Sequence, residues 1–180
     1  MPKKSFTSIV CLSLLISALL WCTGCASYDW SRAELPFKKL YVEPASNQSF
    51  APQIQAPLSA QLRQALIRDG RVQIIDNPKE ADAILQVNVT QYNRNASTRD
   101  SQDSEIARGF DINMRAQIAL YDAANKTYFF RDRNLSVKTN AFTNDPNSGE
   151  VTFALAEHQA MPRLANDLAR KIANEVLSVW

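Results

Sequence analysis

The stretch "FDINMRAQIAL", Phe110 to Leu120, decides the fold. Phe110, Ile112, Met114, Ala116, Ile118 and Leu120 take every second position, with Asp111, Asn113, Arg115 and Gln117 between them. Successive side chains of a strand point to opposite sides, so a period of two means one buried face and one wet face. Upstream, "AILQVNVTQY" alternates in the same way, with Leu85, Val87 and Val89 set against Gln86, Asn88 and Thr90. Downstream, "YDAANKT", Tyr121 to Thr127, reads as a hairpin turn. The chain from Tyr128 to Phe142 then pairs back, with Leu135, Val137 and Ala141 alternating against Ser136, Lys138 and Asn140. The alternation slips at "FFRDR", which predicts a bulge or a strand end there.

Further out, "KKLYVEP", Lys38 to Pro44, reads as a strand stopped by a proline that cannot donate to a ladder. "PLSAQLRQALIRDG" is helical, with Leu58, Leu62, Ala65 and Leu66 on one face, Pro57 in the first turn and Gly70 at the C-cap. "RVQIID", Arg71 to Asp76, is a short strand. The C-terminal stretch from Asn147 to Trp180 is a long amphipathic helix in which Leu164, Leu168, Ile172 and Val176 repeat every four residues, flanked by Ala165, Ala169 and Ala173. Pro162 lacks an amide hydrogen and is expected to kink or split that helix. Asn147 and Glu150 resemble a capping box at its start. The order β-α-β-β-β-β-α predicts an α+β, two-layer sandwich. Its sheet is mostly antiparallel, of four to five strands, with two helices on one face and the other face polar and open. No internal repeat is present. The weakly ordered candidates are the N-terminal tether, the loop 45–56 and "RNASTRDSQDSE", Arg94 to Glu105.

All three cysteines, Cys11, Cys22 and Cys25, fall in the first 25 residues. Met1-Pro2-Lys3-Lys4 precedes an uncharged run from Phe6 to Trp21, and small residues follow it, the pattern of a secretory signal peptide. The run is short for a membrane-spanning helix of about 20 residues, although a retained single-span anchor is the alternative. A redox or zinc role for "CTGC" would need a βαβ context or further ligands. Downstream there is no cysteine, and the single histidine is His158. Thr23-Gly24-Cys25 resembles the end of a bacterial lipobox, in which the cysteine becomes the acylated first residue; Cys22 stands where leucine is usual. The expected organisation is therefore a lipoprotein signal peptide over 1–24, a lipidated tether over 25–36 and a single α/β domain over 37–180. A single acyl chain anchors only marginally, whereas several, palmitate among them, anchor stably. By resemblance to bacterial lipoproteins, Ala26 after the cysteine implies sorting to the outer membrane, with the domain facing the periplasm.

The whole chain holds 20 Lys and Arg against 18 Asp and Glu. Loss of Lys3 and Lys4 with the leader balances the two, which argues against a nucleic-acid partner. The 156 residues left after cleavage suit a domain with one core. Enzymatic chemistry finds few candidates. There is no nucleophile elbow, phosphate-binding glycine loop or zinc-protease motif. Gly70, Gly109 and Gly149 are too scattered to wrap a phosphate. The carboxylates of "STRDSQDSEIARG" lack the glycine and closing glutamate of an EF-hand loop. His158 reads as a solvated helix residue. The sequons at Asn88, Asn95 and Asn134 fall by chance. No cofactor and no metal site are expected, and a hydrolase, which needs a perturbed acid or base in a pocket, finds no support.

The open face is better supplied. Lys38, Lys39, Arg94, Arg99, Arg108, Arg115, Arg131, Arg133 and Lys138 lie in or beside the strands, interspersed with Asp100, Asp103, Glu105, Asp111 and Asp132. Arginine forks match phosphates bidentately, so a phosphorylated glycolipid is one candidate contact and a plain solvated face the other. The amides and hydroxyls around these charges suit a wet protein–protein contact. Taken together, "TGCASYDW", "LPFKKLYVEP", "LSAQLRQALIRDGRVQIID", "ADAILQVNVTQYNRN" and "FDINMRAQIALYDAANKTYFFRDRNLSVKT", with the long helix ending at Trp180, resemble the lipopolysaccharide-assembly lipoprotein family, LptE. The resemblance spans nearly the whole processed chain. It implies a plug in the lumen of the outer-membrane β-barrel LptD, assistance in that barrel's folding, and contact with lipopolysaccharide through basic residues at strand ends. Arg94, Arg108, Arg115, Arg133 and Lys138 are the candidates for that contact. An auxiliary lipoprotein of another envelope system, such as an ABC-type lipid transporter, is the competing reading.

Overall fold

The computed structural model describes residues 35–99, 107–142 and 149–179. The long alternating segments form a three-stranded meander: β4 (Ala83–Arg99), β5 (Ala107–Asp122) and β6 (Thr127–Phe142). Asp122 closes the β5–β6 hairpin by accepting from the backbone N–H groups of Ala124 and Asn125 at 3.0 Å and from the Asn125 side chain at 2.7 Å. Local acceptors of this kind are why Asp and Asn recur in turns. Three short strands, β1 (Lys39–Val42), β2 (Ser46–Asn47) and β3 (Gln73–Ile75), complete a six-stranded sheet. Its order is β3-β1-β4-β5-β6, with β2 also on β4.

The meander is antiparallel as expected, but β1–β3, β1–β4 and β2–β4 run parallel, so the sheet is mixed. The β1–β3 pair follows from the helix α1 (Gln55–Asp69) between β2 and β3, and the β1–β4 pair from the short return through the 3₁₀ turn Pro78–Glu80 that precedes β4. A crossover helix returns the chain to the same end of the sheet, which is what a parallel pair requires. Leu58, Leu62 and Leu66 of α1 are buried. Gly70 ends the helix at φ 76°, its N–H donating to the Leu66 carbonyl.

The second helix, α2 (Gly149–Val176), runs through Pro162 without being split. Leu164, Leu168, Ile172 and Val176 are all buried, as are Ala165, Ala169 and Ala173, whose small side chains widen the stripe. These residues, the α1 leucines and one face of the sheet join in a single core cluster that includes Leu40, Leu85, Ile112, Met114, Ile118 and Leu120. The suggested cap at Asn147 and the acidic part of the loop after Arg99 lie outside the described residues.

Two segments are more ordered than their composition suggests. The first half of "RNASTRDSQDSE" continues β4 to Arg99. Within 45–56, Ala45, Ala51 and Ile54 are buried, and β2 pairs with Asn88 and Val89. Asp82 pins the sheet where β1 and β4 start, accepting from the N–H groups of Lys38 and Lys39 at 3.0 and 2.8 Å. Backbone donors hold the carboxyls of both Asp82 and Asp122 below the ordinary 3.8. A carboxylate whose folded pKa is depressed adds stability above its unfolded pKa and loses it as the pH falls through the folded value. The melting temperature is therefore expected to fall as the pH drops from about 5 toward about 3. The double variant Asp82→Asn/Asp122→Asn should show a flatter fall in a calorimetric pH series, and an unchanged slope would remove these two groups as the cause.

Candidate functional site

The open face of the sheet is built by register. On β5 it shows Asp111, Asn113, Arg115, Gln117, Ala119 and Tyr121, the partners in line of buried Ile112 to Leu120. Across on β6 stand Asn140, Lys138, Ser136 and Asn134, and across on β4 stand Asn95, Asn93, Gln91, Asn88 and Gln86. The result is an amide-rich surface with few charges. Arg115 is exposed, opposite Gln91 and Ser136, and has no ion-pair partner among the described residues. Lys138 lies one step along and pairs with Asp111 at 2.5 Å.

Two of the five basic candidates are elsewhere, and the cause is strand irregularity. Thr90 is an extra residue in β4 between the Val89 and Gln91 pairs. A bulge shifts the alternation by one, so after it the even positions turn to the helix side. Arg94 is therefore opposite Ile112, and its guanidinium lies 3.4 Å from both oxygens of Glu157 on α2. Tyr92, shifted in the same way, is buried and donates its hydroxyl to Glu157 Oε1. Burial, and then the bond to Glu157, push the Tyr92 phenol far above its usual pKa. Arg133 is opposite Ile118 on the helix side, stacks over the Phe130 ring at 4.2 Å and is ion-paired with Glu175 of α2. Both arginines tie sheet to helix rather than face the open side. Arg108 belongs to β5, but its side chain lies outside the described residues, as does Cys25 with the whole of the leader.

The slip at "FFRDR" is a bulge in β6: Phe130 pairs with Leu120 and Arg133 with Ile118, leaving Arg131 and Asp132 between. Asp132 takes a left-handed φ of 56°. Together these place two consecutive charged side chains at the rim of a depression of about 350 Å³ on the open face. Its walls are Gln86, Asn88 and Gln117 with Tyr128, and Glu43, Pro44 and Ser46 close it on the β1–β2 side. Gln117 Nε2 donates to Asp132 Oδ1 at 3.1 Å, Gln86 Nε2 to Glu43 Oε1 at 3.4 Å, and Ser46 Oγ to Asn88 Oδ1 at 3.0 Å. The break in alternation was the one sequence signal for this constellation, since Arg131 and Asp132 otherwise read as ordinary strand charges.

Among the described residues no group of three or more potential metal ligands is present, and no helix is long and apolar enough to cross a membrane. A second, apolar depression of about 510 Å³ lies between the start of α1 and the middle of α2. Pro52, Pro57, Met161 and Pro162 line it together with His158, which is exposed.

The family model described as lipopolysaccharide-assembly, LptE, matches residues 37–176. The chain belongs to the LptE family. No curated protein matches it significantly. Among solved structures, uncharacterized lipoprotein B from Nitrosomonas europaea is 16% identical, with 80% of this chain and 84% of that chain covered and a TM-score of 0.55. A minor lipoprotein from Acinetobacter baumannii is 17% identical over 80% of this chain and 93% of that chain, with a TM-score of 0.52. Identities this low speak for a shared fold alone. The LptE match covers every strand and helix described above, including the bulges at Thr90 and at Arg131–Asp132 and the open face.

Proposed function

We propose that this LptE-family chain is an outer-membrane lipoprotein, acylated at Cys25 after loss of residues 1–24, that fills and helps assemble an LptD-type β-barrel and binds lipopolysaccharide. Its work is binding and assembly rather than catalysis. The observation that carries the reading is the family match across the folded region. The open face supports it: a wide, amide-rich sheet surface suits a water-lined barrel interior, because its polar groups can keep their hydrogen bonds through bridging water. Phe50 supports a protein partner, being 96% exposed, since aromatic side chains are favoured anchors at interfaces. The direct test is affinity purification after membrane solubilisation. A large β-barrel should co-purify; recovery of an inner-membrane transporter instead would support the ABC-type adaptor.

For the lipid phosphates, the open-face pair Arg115 and Lys138 remains the candidate contact. Arg115 is the stronger of the two, because Lys138 is already neutralised by Asp111. Arg115→Glu with Lys138→Glu should lower lipopolysaccharide retention in a pull-down by about tenfold or more, the loss expected when charge-assisted bonds are removed. The matching reversal of Arg94 and Arg133 should act through stability instead, since both hold α2. Full retention by the Arg115/Lys138 variant would exclude this contact.

A further inference from the structure

The depression at the β6 bulge has a chemistry distinct from that of the Arg115–Lys138 strip. It holds two carboxylates, Glu43 and Asp132, and one guanidinium, Arg131. An excess of negative charge disfavours phosphate. Two carboxylates without a third ligand do not make a metal site. What remains is an alternation of acceptors and donors. One oxygen of each carboxylate is held by an amide, and the second has no protein partner among the described residues. Asn88 and Arg131 supply side-chain donors beside them. Sugar hydroxyls both donate and accept, and neutral rings carry several at close spacing.

The space is created by three local features. Ala119 is the smallest of the open-face side chains from Asp111 to Tyr121, and it lies between Gln117 and Tyr121. The bulge moves the facing part of β6 out of register. Pro44 breaks the strand between β1 and β2. Asp132 sustains a left-handed backbone that a residue with a Cβ adopts at a cost, and the return is a carboxylate beside Arg131 at the rim. We infer that this depression is a binding site for a neutral sugar ring. The inference rests on the lipopolysaccharide reading for the source of that ring, the saccharide part of the glycolipid, with a free periplasmic glycan as the other source of the same chemistry.

The test uses the processed protein in detergent and saturation-transfer NMR with three probes. These are a dephosphorylated core oligosaccharide released from lipid A, maltotriose, and lipid A without sugars of the core. Saturation should reach the ring protons of the core oligosaccharide. It should weaken about tenfold or more in Ala119→Leu, which fills the depression from the solvent side, and in Asp132→Asn, which keeps the left-handed preference but removes the charge. Equal transfer to maltotriose supports the site and assigns it to free glycans. No transfer to either sugar, or transfer that survives Ala119→Leu, overturns the inference. Binding of lipid A and recovery of the barrel report separately on the broader reading, so a sugar site can fail while the assembly role stands.

Discussion

Replacing Glu157 with alanine is expected to destabilise the fold by about 2–3 kcal/mol, the cost of stranding buried hydrogen-bonding groups. Glu157 is 9% exposed, and it is the acceptor for the hydroxyl of Tyr92, itself 9% exposed. Alanine leaves that hydroxyl facing a cavity with no acceptor. Loss of the ion pair to Arg94 adds less, because the arginine side chain is half exposed and screened by solvent. Converted to temperature, the change is a drop of roughly 5–10 °C for a domain of this size. Tyr92→Phe should cost less, about 1 kcal/mol, since Glu157 keeps Arg94 and no polar atom is stranded. The double variant should then cost little more than Glu157→Ala alone, which a double-mutant cycle would record as coupling. A loss below about 0.5 kcal/mol for Glu157→Ala, the level of an ordinary surface change, would mean that the helix–sheet junction does not depend on this cluster.

That cluster also marks where the sequence stops being legible. Periodicity located β5 and its neighbours because every even residue from Ile112 to Leu120 meets the same core. It located α2 because four aliphatic residues four apart share one stripe. Pairing direction was less visible: "KKLYVEP" and "RVQIID" look the same whether parallel or antiparallel, and their pairing is set by the crossover through α1 and by the short return through Pro78–Glu80. The two bulges mattered most for the site. In β6 the broken pattern at "FFRDR" was readable. In β4 the extra Thr90 sits in a polar stretch, "NVTQYNRN", where a slip of one residue leaves no visible break in hydrophobicity. Reading without the slip sends Arg94 to the wrong side. Arg133 was misplaced for a related reason: it follows the β6 bulge, and its guanidinium lies over Phe130 and pairs with Glu175, a setting that its charge alone does not announce.

Exchange of Cys25 for serine, behind a leader that is cleaved without acylation, is expected to move the protein almost completely from the membrane pellet to the soluble fraction. Among the described residues no helix is long and apolar enough to cross a membrane, and the charges beyond the leader balance, leaving no strong electrostatic attraction to an anionic surface. On the lipid-anchor reading attachment rests on acyl chains, each buried CH₂ contributing about 0.8 kcal/mol, so that two or three chains bind in effect permanently where one binds marginally. The serine hydroxyl stays un-ionised near neutral pH and is a far weaker nucleophile than a thiolate, so the variant should not be acylated. Cys22→Ala separates the competing readings of "CTGC". If the pair were a redox or metal motif, both variants would fail alike. If Cys25 alone carries lipid, Cys22→Ala should remain in the pellet with an acylated N-terminal residue 25 in the mass spectrum, and Cys25→Ser should not. The same fractions, probed for the barrel, show what the anchor is for. Tethering confines the domain to a thin layer at the membrane and raises its effective concentration at a membrane-bound partner. Untethered protein should therefore recover less barrel at equal expression, and recovery should return as the soluble variant is overproduced. A Cys25→Ser protein that has lost its leader and still stays in the pellet after carbonate and high-salt washes would defeat the lipid-anchor reading.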